Sequence, residues 1–340
     1  MIEARWLAAF VDVLGRCGVK AGDACAVLAE TQSRPVLVQL ASLALQQRGA
    51  RSFVLTVPSP AANAVPVRST GASTALAGQD AAVQSLAHCA VVVDCTVEGL
   101  QHAAELPTIL AGGARILVVS NEHPEILERC LPRAEDEAVV RDAMRRLKSA
   151  KRMTVFSRAG TDLQIDLAGA RVGGVWGFTN KPGTLTHWPG GLALAFPAAG
   201  CVNGALVLDR GDVNLTFKRY LTDAVRLQIE DDHVDDIIGD SPDAELMRGY
   251  FAAWGDRAAY AVSHVGWGLN SRARWDAMAF YDKDDFNGTE LRAFAGNFLY
   301  STGANEVAGR HTAGHFDLPL RGCTVELDGQ VVVKEGQLVT

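Results

Sequence analysis

Ala90-Val91-Val92-Val93-Asp94 and Arg115-Ile116-Leu117-Val118-Val119-Ser120 are apolar runs with no polar alternation. A strand wetted on one face alternates apolar and polar residues. A strand covered on both faces reads as a continuous Val/Ile/Leu run, which is the mark of a parallel sheet. The same texture recurs upstream at Ala26-Val27-Leu28-Ala29 and at Phe53-Val54-Leu55-Thr56-Val57, with Pro58 after the latter. Between these runs lie segments of helical spacing: 4–18, with Trp6, Leu7, Phe10, Val11 and Leu14 on one face and Gly18 at the end, then about 34–48, 78–88 and 103–111. Alternating strands and helices over residues 1–150 predict a doubly wound α/β domain. No G-x-G-x-x-G follows the first strand and no G-x-x-x-x-G-K-[ST] occurs, so no nucleotide cofactor is expected. Gly112-Gly113 and Gly173-Gly174 read as turn glycines.

The charged helix Glu135 to Lys151 bridges into the second half, where the texture changes. Short runs follow one another at Met153–Phe156, Asp162–Leu167, Leu192–Phe196, Ala205–Leu208 and Val225–Ile229, punctuated by glycine and proline. Such runs predict an antiparallel, strand-rich domain. One amphipathic helix spans about 242–254, with Ser241 or Asp240 as its N-cap. The fold class is therefore α/β, with a doubly wound α/β domain over 1–150 and a strand-rich α+β domain over 151–340.

Composition narrows the function. At 340 residues, 48% hydrophobic and 21% charged, the chain is that of an ordinary globular protein with room for two domains. A net charge of −7 disfavours a nucleic-acid surface and suits small-molecule chemistry. No apolar run approaches a membrane span, and Met1–Trp6 does not read as a signal peptide, so no membrane partner is expected. The seven cysteines are scattered without a C-x-x-C, which fits a reducing cytoplasm and gives no support to a cysteine-ligated metal. The sequons Asn214-Leu215-Thr216 and Asn287-Gly288-Thr289 are then chance matches.

Chemistry concentrates in the second half. His187, His264, His311 and His315 lie in glycine-rich settings where backbone can approach a ligand. His88, His102, His123 and His233 sit in helical or charged surroundings and read as structural. In Gly314-His315-Phe316-Asp317-Leu318-Pro319, residues two apart on a strand share one face, roughly 7 Å apart. His315 and Asp317 can thus aim at one point while Phe316 packs the other way. A 2-His-1-carboxylate iron site would need one histidine more; a lone H-x-D is more often a hydrogen-bonded strand end.

The order of motifs resembles the aminopeptidase T/S type of metallopeptidase, a two-domain fold with a dinuclear site in its C-terminal domain. Gly160-Thr161-Asp162-Leu163, Asn180-Lys181-Pro182-Gly183, the glycine-flanked His264, His315-x-Asp317 and Leu327-Asp328-Gly329 carry that likeness over most of residues 150–340. Within the fold the chain is more similar to the 2,5-dihydroxypyridine 5,6-dioxygenases of bacterial nicotinate breakdown. That closer likeness rests on Val175–Gly183, His187-Trp188-Pro189-Gly190-Gly191, Ala253–Arg257, Ala261–Gly266, Ser301–Glu306 and Gly314–Pro319. The peptidases follow the N-x-P turn with Gly-Glu, whose carboxylate binds metal; here the pair is Gly183-Thr184, and their second glutamate has no convincing counterpart. Without those carboxylates a second cation lacks ligands and charge compensation.

The resemblance implies a C-terminal metal-binding domain with one Fe(II) per chain, held by His264, His315 and Asp317. The activity implied is extradiol-type opening of 2,5-dihydroxypyridine by O2 between C5 and C6 to N-formylmaleamate; the alternative is a dinuclear aminopeptidase. His187 is the candidate base, on a loop that Pro189, Gly190 and Gly191 make irregular, titrating near neutrality. Trp176–Phe178 is expected to wall the planar substrate. His311 and Asp256 receive no role. A cytoplasmic homo-oligomer is expected.

Overall fold

The valine-rich runs form one parallel sheet. The computed structural model describes residues 1–61, 73–119 and 121–339, so Ser120, the last residue of one expected strand, lies outside the described residues. Arg51–Val57, Ala24–Glu30, Val91–Asp94, Arg115–Val119 and Leu185–Trp188 pair in that order, all parallel. Alternate residues feed opposite cores. Val27, Val91, Val93 and Leu117 pack under the helices Ala4–Arg16 and Pro35–Gln47. Ala26, Leu28, Val92, Ile116 and Val118 pack with Leu86 and Ile109 of the helices Asp80–Ala87 and Leu106–Ala111. Burial on both faces is what the unalternating sequence demands.

The fifth strand is a correction. Leu185-Thr186-His187-Trp188 lies among residues that read as an antiparallel half, yet it adds to the first sheet with His187 opposite Val118. His187 therefore stands on a strand, not on an irregular loop. Four residues are too few to show a period, and their pairing is with a segment far away in sequence.

The rest of the chain forms two antiparallel sheets, apart from the short pair Val213–Asn214 and Arg219–Tyr220. The eight-stranded one includes Arg152–Ser157, Asp162–Asp166, Val202–Leu208 and Val225–Glu230. The five-stranded one runs Arg310–Leu320, Phe298–Asn305, Val262–Gly268, Leu192–Phe196, Arg171–Val175. Between them lies the largest core, where Val155, Leu163 and Leu206 meet Ala193, Val265, Tyr300, Phe316 and Leu318 together with Met247 and Phe251. The last two come from the helix Pro242–Trp254, which begins with Ser241 Oγ accepting the Ala244 N–H and ends at Gly255 in the left-handed region. Those are the start and stop that local sequence specifies.

Gly173-Gly174 is a second correction. It lies within the strand Arg171–Val175, not in a turn. The bridging helix Ala134–Ser149 packs on this strand so closely that a Cβ on Gly174 would lie 2.5 Å from Met144 Sδ and 2.6 Å from Val140 Cγ1. Gly112 and Gly113 do close a helix, the latter at φ +91.

Candidate functional site

The five-stranded sheet has one face in the core and the other on a cavity of about 330 Å³. Period-two alternation sorts the residues: Ala193 and Ala195 face the core while Leu192, Leu194 and Phe196 line the cavity. Phe316 is fully buried in the core, and His315 and Asp317 face the cavity. The opposite wall is formed at the carboxyl end of the parallel sheet by residues 96–99, 101 and 102 and Val118, with Leu185 and His187 from the fifth strand. Ligands bind at this end of open α/β sheets because loops there converge outside the strand ends.

Cross-strand register assembles the centre. His264 lies opposite Ser301, and Ser301 opposite Asp317, so three neighbouring strands place these residues in one row. A register shift at Val262/His264 marks a bulge, a device that re-aims a side chain beside a site. His315 Nε2 is 3.1 Å and His264 Nε2 3.7 Å from Asp317 Oδ1. One donor atom each from His264, His315 and Asp317 fits within 4.8 Å, the one such group among the described residues.

The surroundings orient these donors. Ser263 Oγ donates to the Ala304 carbonyl at 2.6 Å and so accepts from His264 Nδ1–H at 3.2 Å, which leaves His264 Nε2 bare. Arg292 Nε donates to Asp317 Oδ2 at 2.6 Å, and the Ser301 hydroxyl donates to Oδ1. Burial alone would raise the Asp317 carboxyl, but His315 and Arg292 beside it hold it well below the ordinary carboxylate range. Burial lowers His264 to about 4, with Asp317 opposing. The centre therefore presents neutral His264 and anionic Asp317, the protonation states that metal binding requires.

His187 lines the cavity, and its Nε2 is 3.2 Å from Gln101 Oε1. An amide oxygen only accepts, so the shared proton is on Nε2 and the ring's lone pair on Nδ1. Desolvation, then Arg292, lowers its imidazole to about 4. The titration near neutrality expected of an ordinary histidine is thus displaced by burial.

His102, which reads as structural in sequence, is part of the site. Its ring centroid lies 4.9 Å from that of His315, and burial, then His315, lowers it to about 3. The loop carrying it is pinned by Asp94: Oδ1 accepts from Thr96 N and Thr96 Oγ1, and Oδ2 from Leu100 N, at 2.9, 2.6 and 2.8 Å. The available signal was position, a histidine in the loop after a parallel strand. Arg292, on a five-residue helix, carried no signal of its own, and Ser301 opens the family stretch Ser301–Glu306, where nothing gave it a role of its own. Trp176 and Phe178 do not wall the cavity: Trp176 lies beneath the Arg141 guanidinium, 4.7 Å away, and Phe178 is buried in the N-terminal core. Leu192, Leu194, Phe196 and Leu299 supply the apolar wall instead. His311 is exposed, and Asp256 caps the turn Arg257–Tyr260 by accepting from Ala258 N at 2.9 Å. Thr184 Oγ1 is taken up by Thr179 Oγ1 and the Lys181 carbonyl, both at 2.6 Å.

The family model of NicX, 2,5-dihydroxypyridine 5,6-dioxygenase, matches residues 5–340. The chain belongs to this family. A curated 2,5-dihydroxypyridine 5,6-dioxygenase from Pseudomonas putida (strain KT2440) is 38% identical over 335 residues, 97% of this chain and 95% of that one. The solved structure of the 2,5-dihydroxypyridine dioxygenase from Pseudomonas putida KT2440 superposes with a TM-score of 0.92 at 35% identity, covering 100% and 98% of the two chains. Wild-type AmpT from Thermus thermophilus reaches a TM-score of 0.66 at 14% identity over 99% of both chains, which is a likeness of fold alone. Family membership favours the dioxygenase reading over the dinuclear peptidase one.

Proposed function

We propose that the chain is an Fe(II)-dependent, extradiol-type dioxygenase that opens 2,5-dihydroxypyridine between C5 and C6 to N-formylmaleamate, in cytoplasmic nicotinate breakdown. The observation that carries the reading is the row His264–Ser301–Asp317 with His315, whose donors converge on one cavity wall. Two imidazoles and one carboxylate fit a ferrous ion with positions left open. The donor set suits one such ion: His264 Nε2 is bare, and Asp317 Oδ1 faces both histidines while Arg292 engages Oδ2. Ferrous iron, when bound, supplies the electron path by which a closed-shell ring reacts with triplet O2.

The remaining work falls to the protein. A cavity of about 330 Å³ has room for a single planar ring against the apolar wall of Leu192, Leu194 and Leu299. His187, with Nε2–H held by Gln101, takes the hydroxyl proton at Nδ1; its lowered pKa keeps it in the accepting form at any working pH above about 4. The Arg292 guanidinium compensates the negative charge that develops at the ring oxygen. Both oxygen atoms of O2 end in the product, one at each carbon of the broken bond, so no external reductant is consumed. Seven free cysteines accord with a reducing compartment.

The test is anaerobic loading with Fe(II) and 2,5-dihydroxypyridine followed by labelled O2. Two labelled atoms in the ring-opened product are expected. One labelled atom would make the enzyme a hydroxylase, and no turnover with iron bound would overturn the reading.

A further inference from the structure

We infer that Glu122 is a positioning residue for the metal centre: its buried carboxylate holds the turn Asn287-Gly288-Thr289, and through that turn sets Arg292 against Asp317. The inference rests on the cavity being a metal-dependent site. Glu122 has no exposed surface and follows the strand Arg115–Val119 at its carboxyl end. Its Oε2 accepts the Asn287 N–H at 2.8 Å, and its Oε1 accepts those of Gly288 and Thr289 at 2.8 and 2.7 Å. Three successive amides converging on one carboxylate need a concave backbone, and Gly288 at φ +93 provides it.

The helix Thr289–Ala293 starts at this turn and carries Arg292. The Arg292 Nη1 returns to the Asn287 carbonyl at 3.3 Å and to Asn287 Oδ1 at 3.0 Å, while Nε holds Asp317 Oδ2. A second tie reaches the same segment. The Glu122 carbonyl accepts from Arg34 Nη1 at 2.7 Å, and Arg34 Nη2 pairs with Asp285 at 2.7 Å. The N-terminal sheet thus fixes which carboxylate oxygen is left toward the histidines, although Glu122 itself does not line the cavity. Asn287-Gly288-Thr289 is a sequon in sequence, but its asparagine Oδ1 faces inward, accepting from Thr289 Oγ1 at 2.8 Å.

Glu122→Gln keeps the volume and replaces one acceptor with a donor that cannot accept an amide. Two quantities are read: hydrogen exchange over residues 285–293 of the metal-free protein, and the Fe(II) dissociation constant by anaerobic competition with a chromophoric chelator. Exchange at 287–289 should quicken while exchange in the other sheets stays unchanged. Fe(II) affinity should fall, by at most the roughly 10–100-fold expected for loss of Arg292, the direct outer partner of Asp317. Combined with Arg292→Lys, the two losses should be less than multiplicative, because both act through Asp317. Gly288→Ala disturbs the same turn without touching Glu122 and should weaken Fe(II) binding likewise; it serves as the test if Glu122→Gln does not fold. Quickened exchange with unchanged Fe(II) affinity would reduce Glu122 to a structural cap, and fully multiplicative losses would exclude Arg292 as the route. Failure of the wild-type protein itself to bind Fe(II) would overturn the metal reading and this inference with it.

Discussion

Arg292 Nε lies 2.6 Å from Asp317 Oδ2, and both side chains are almost wholly withdrawn from solvent. A buried guanidinium–carboxylate contact fixes the rotation of the carboxylate as well as its charge. Lysine at position 292 keeps the charge but loses the planar fork. Arg292→Lys should therefore stay folded and bind Fe(II) roughly 10–100-fold more weakly, measured by chelator competition. Unchanged affinity would mean that Ser301 and the histidines orient Asp317 without it.

The donor set predicts the metal content. Wild-type protein should hold one iron per chain, and His264→Ala, His315→Ala and Asp317→Ala should each lose it while keeping a native circular dichroism spectrum. Chelation should abolish turnover and Fe(II) should restore it. Full iron in Asp317→Ala would remove that residue from the set, and a second tightly held ion in the wild type would revive a dinuclear site.

For His187 the chemistry and the pH dependence are separable. His187→Gln should retain iron and lose roughly 10²–10⁴ in kcat, the range for a positioned proton-transfer group. In the metal-free protein, burial lowers this imidazole from 6.5 to about 4. Between those values the unfolded chain binds a proton that the folded chain does not. The contribution to stability is complete above pH 6.5 and is lost as the pH falls through about 4, at about 1.4 kcal/mol per pKa unit. Denaturant titrations from pH 7 to pH 4 should show a shallower loss for His187→Gln than for the wild type. Parallel curves would mean that the imidazole is solvated.

Gly174 is predicted to be intolerant of any side chain. The nearest atoms to an added Cβ are Met144 Sδ and Val140 Cγ1. Methionine can swing aside, but a β-branched valine on a packed helix cannot follow. Gly174→Ala should cost about 1–3 kcal/mol, as overpacking does, read as a fall in the urea midpoint. No change would mean that the bridging helix rides loosely on the sheet.

Much of this was legible along the chain because it is local. Val91–Asp94 and Arg115–Val119 announce burial on both faces by composition alone, and the H-x-D alternation puts His315 and Asp317 on one face with Phe316 on the other. Ser241 and Gly255 bound their helix through short-range hydrogen bonds and backbone freedom. Family motifs pointed to His264. The misreadings share a cause: Gly173-Gly174 looks like any turn until a helix is packed against it, and Leu185–Trp188 is a strand only because Arg115–Val119 offers it an open edge.

By itself, then, the sequence determined the alternation of strands and helices, the two-faced burial of the first sheet, and the pairing of an imidazole with a carboxylate on one strand face. These follow from side-chain periodicities of two and 3.6 residues, which act within a few residues of chain. Only the tertiary structure decided that Ser301 falls between His264 and Asp317, that His102 and His187 reach the cavity from the N-terminal sheet and its loop, and that Glu122 holds the turn before the helix from which Arg292 reaches Asp317. Cross-strand register and contacts between sheets join residues far apart in sequence, and no local pattern encodes which distant partner a buried polar group will meet.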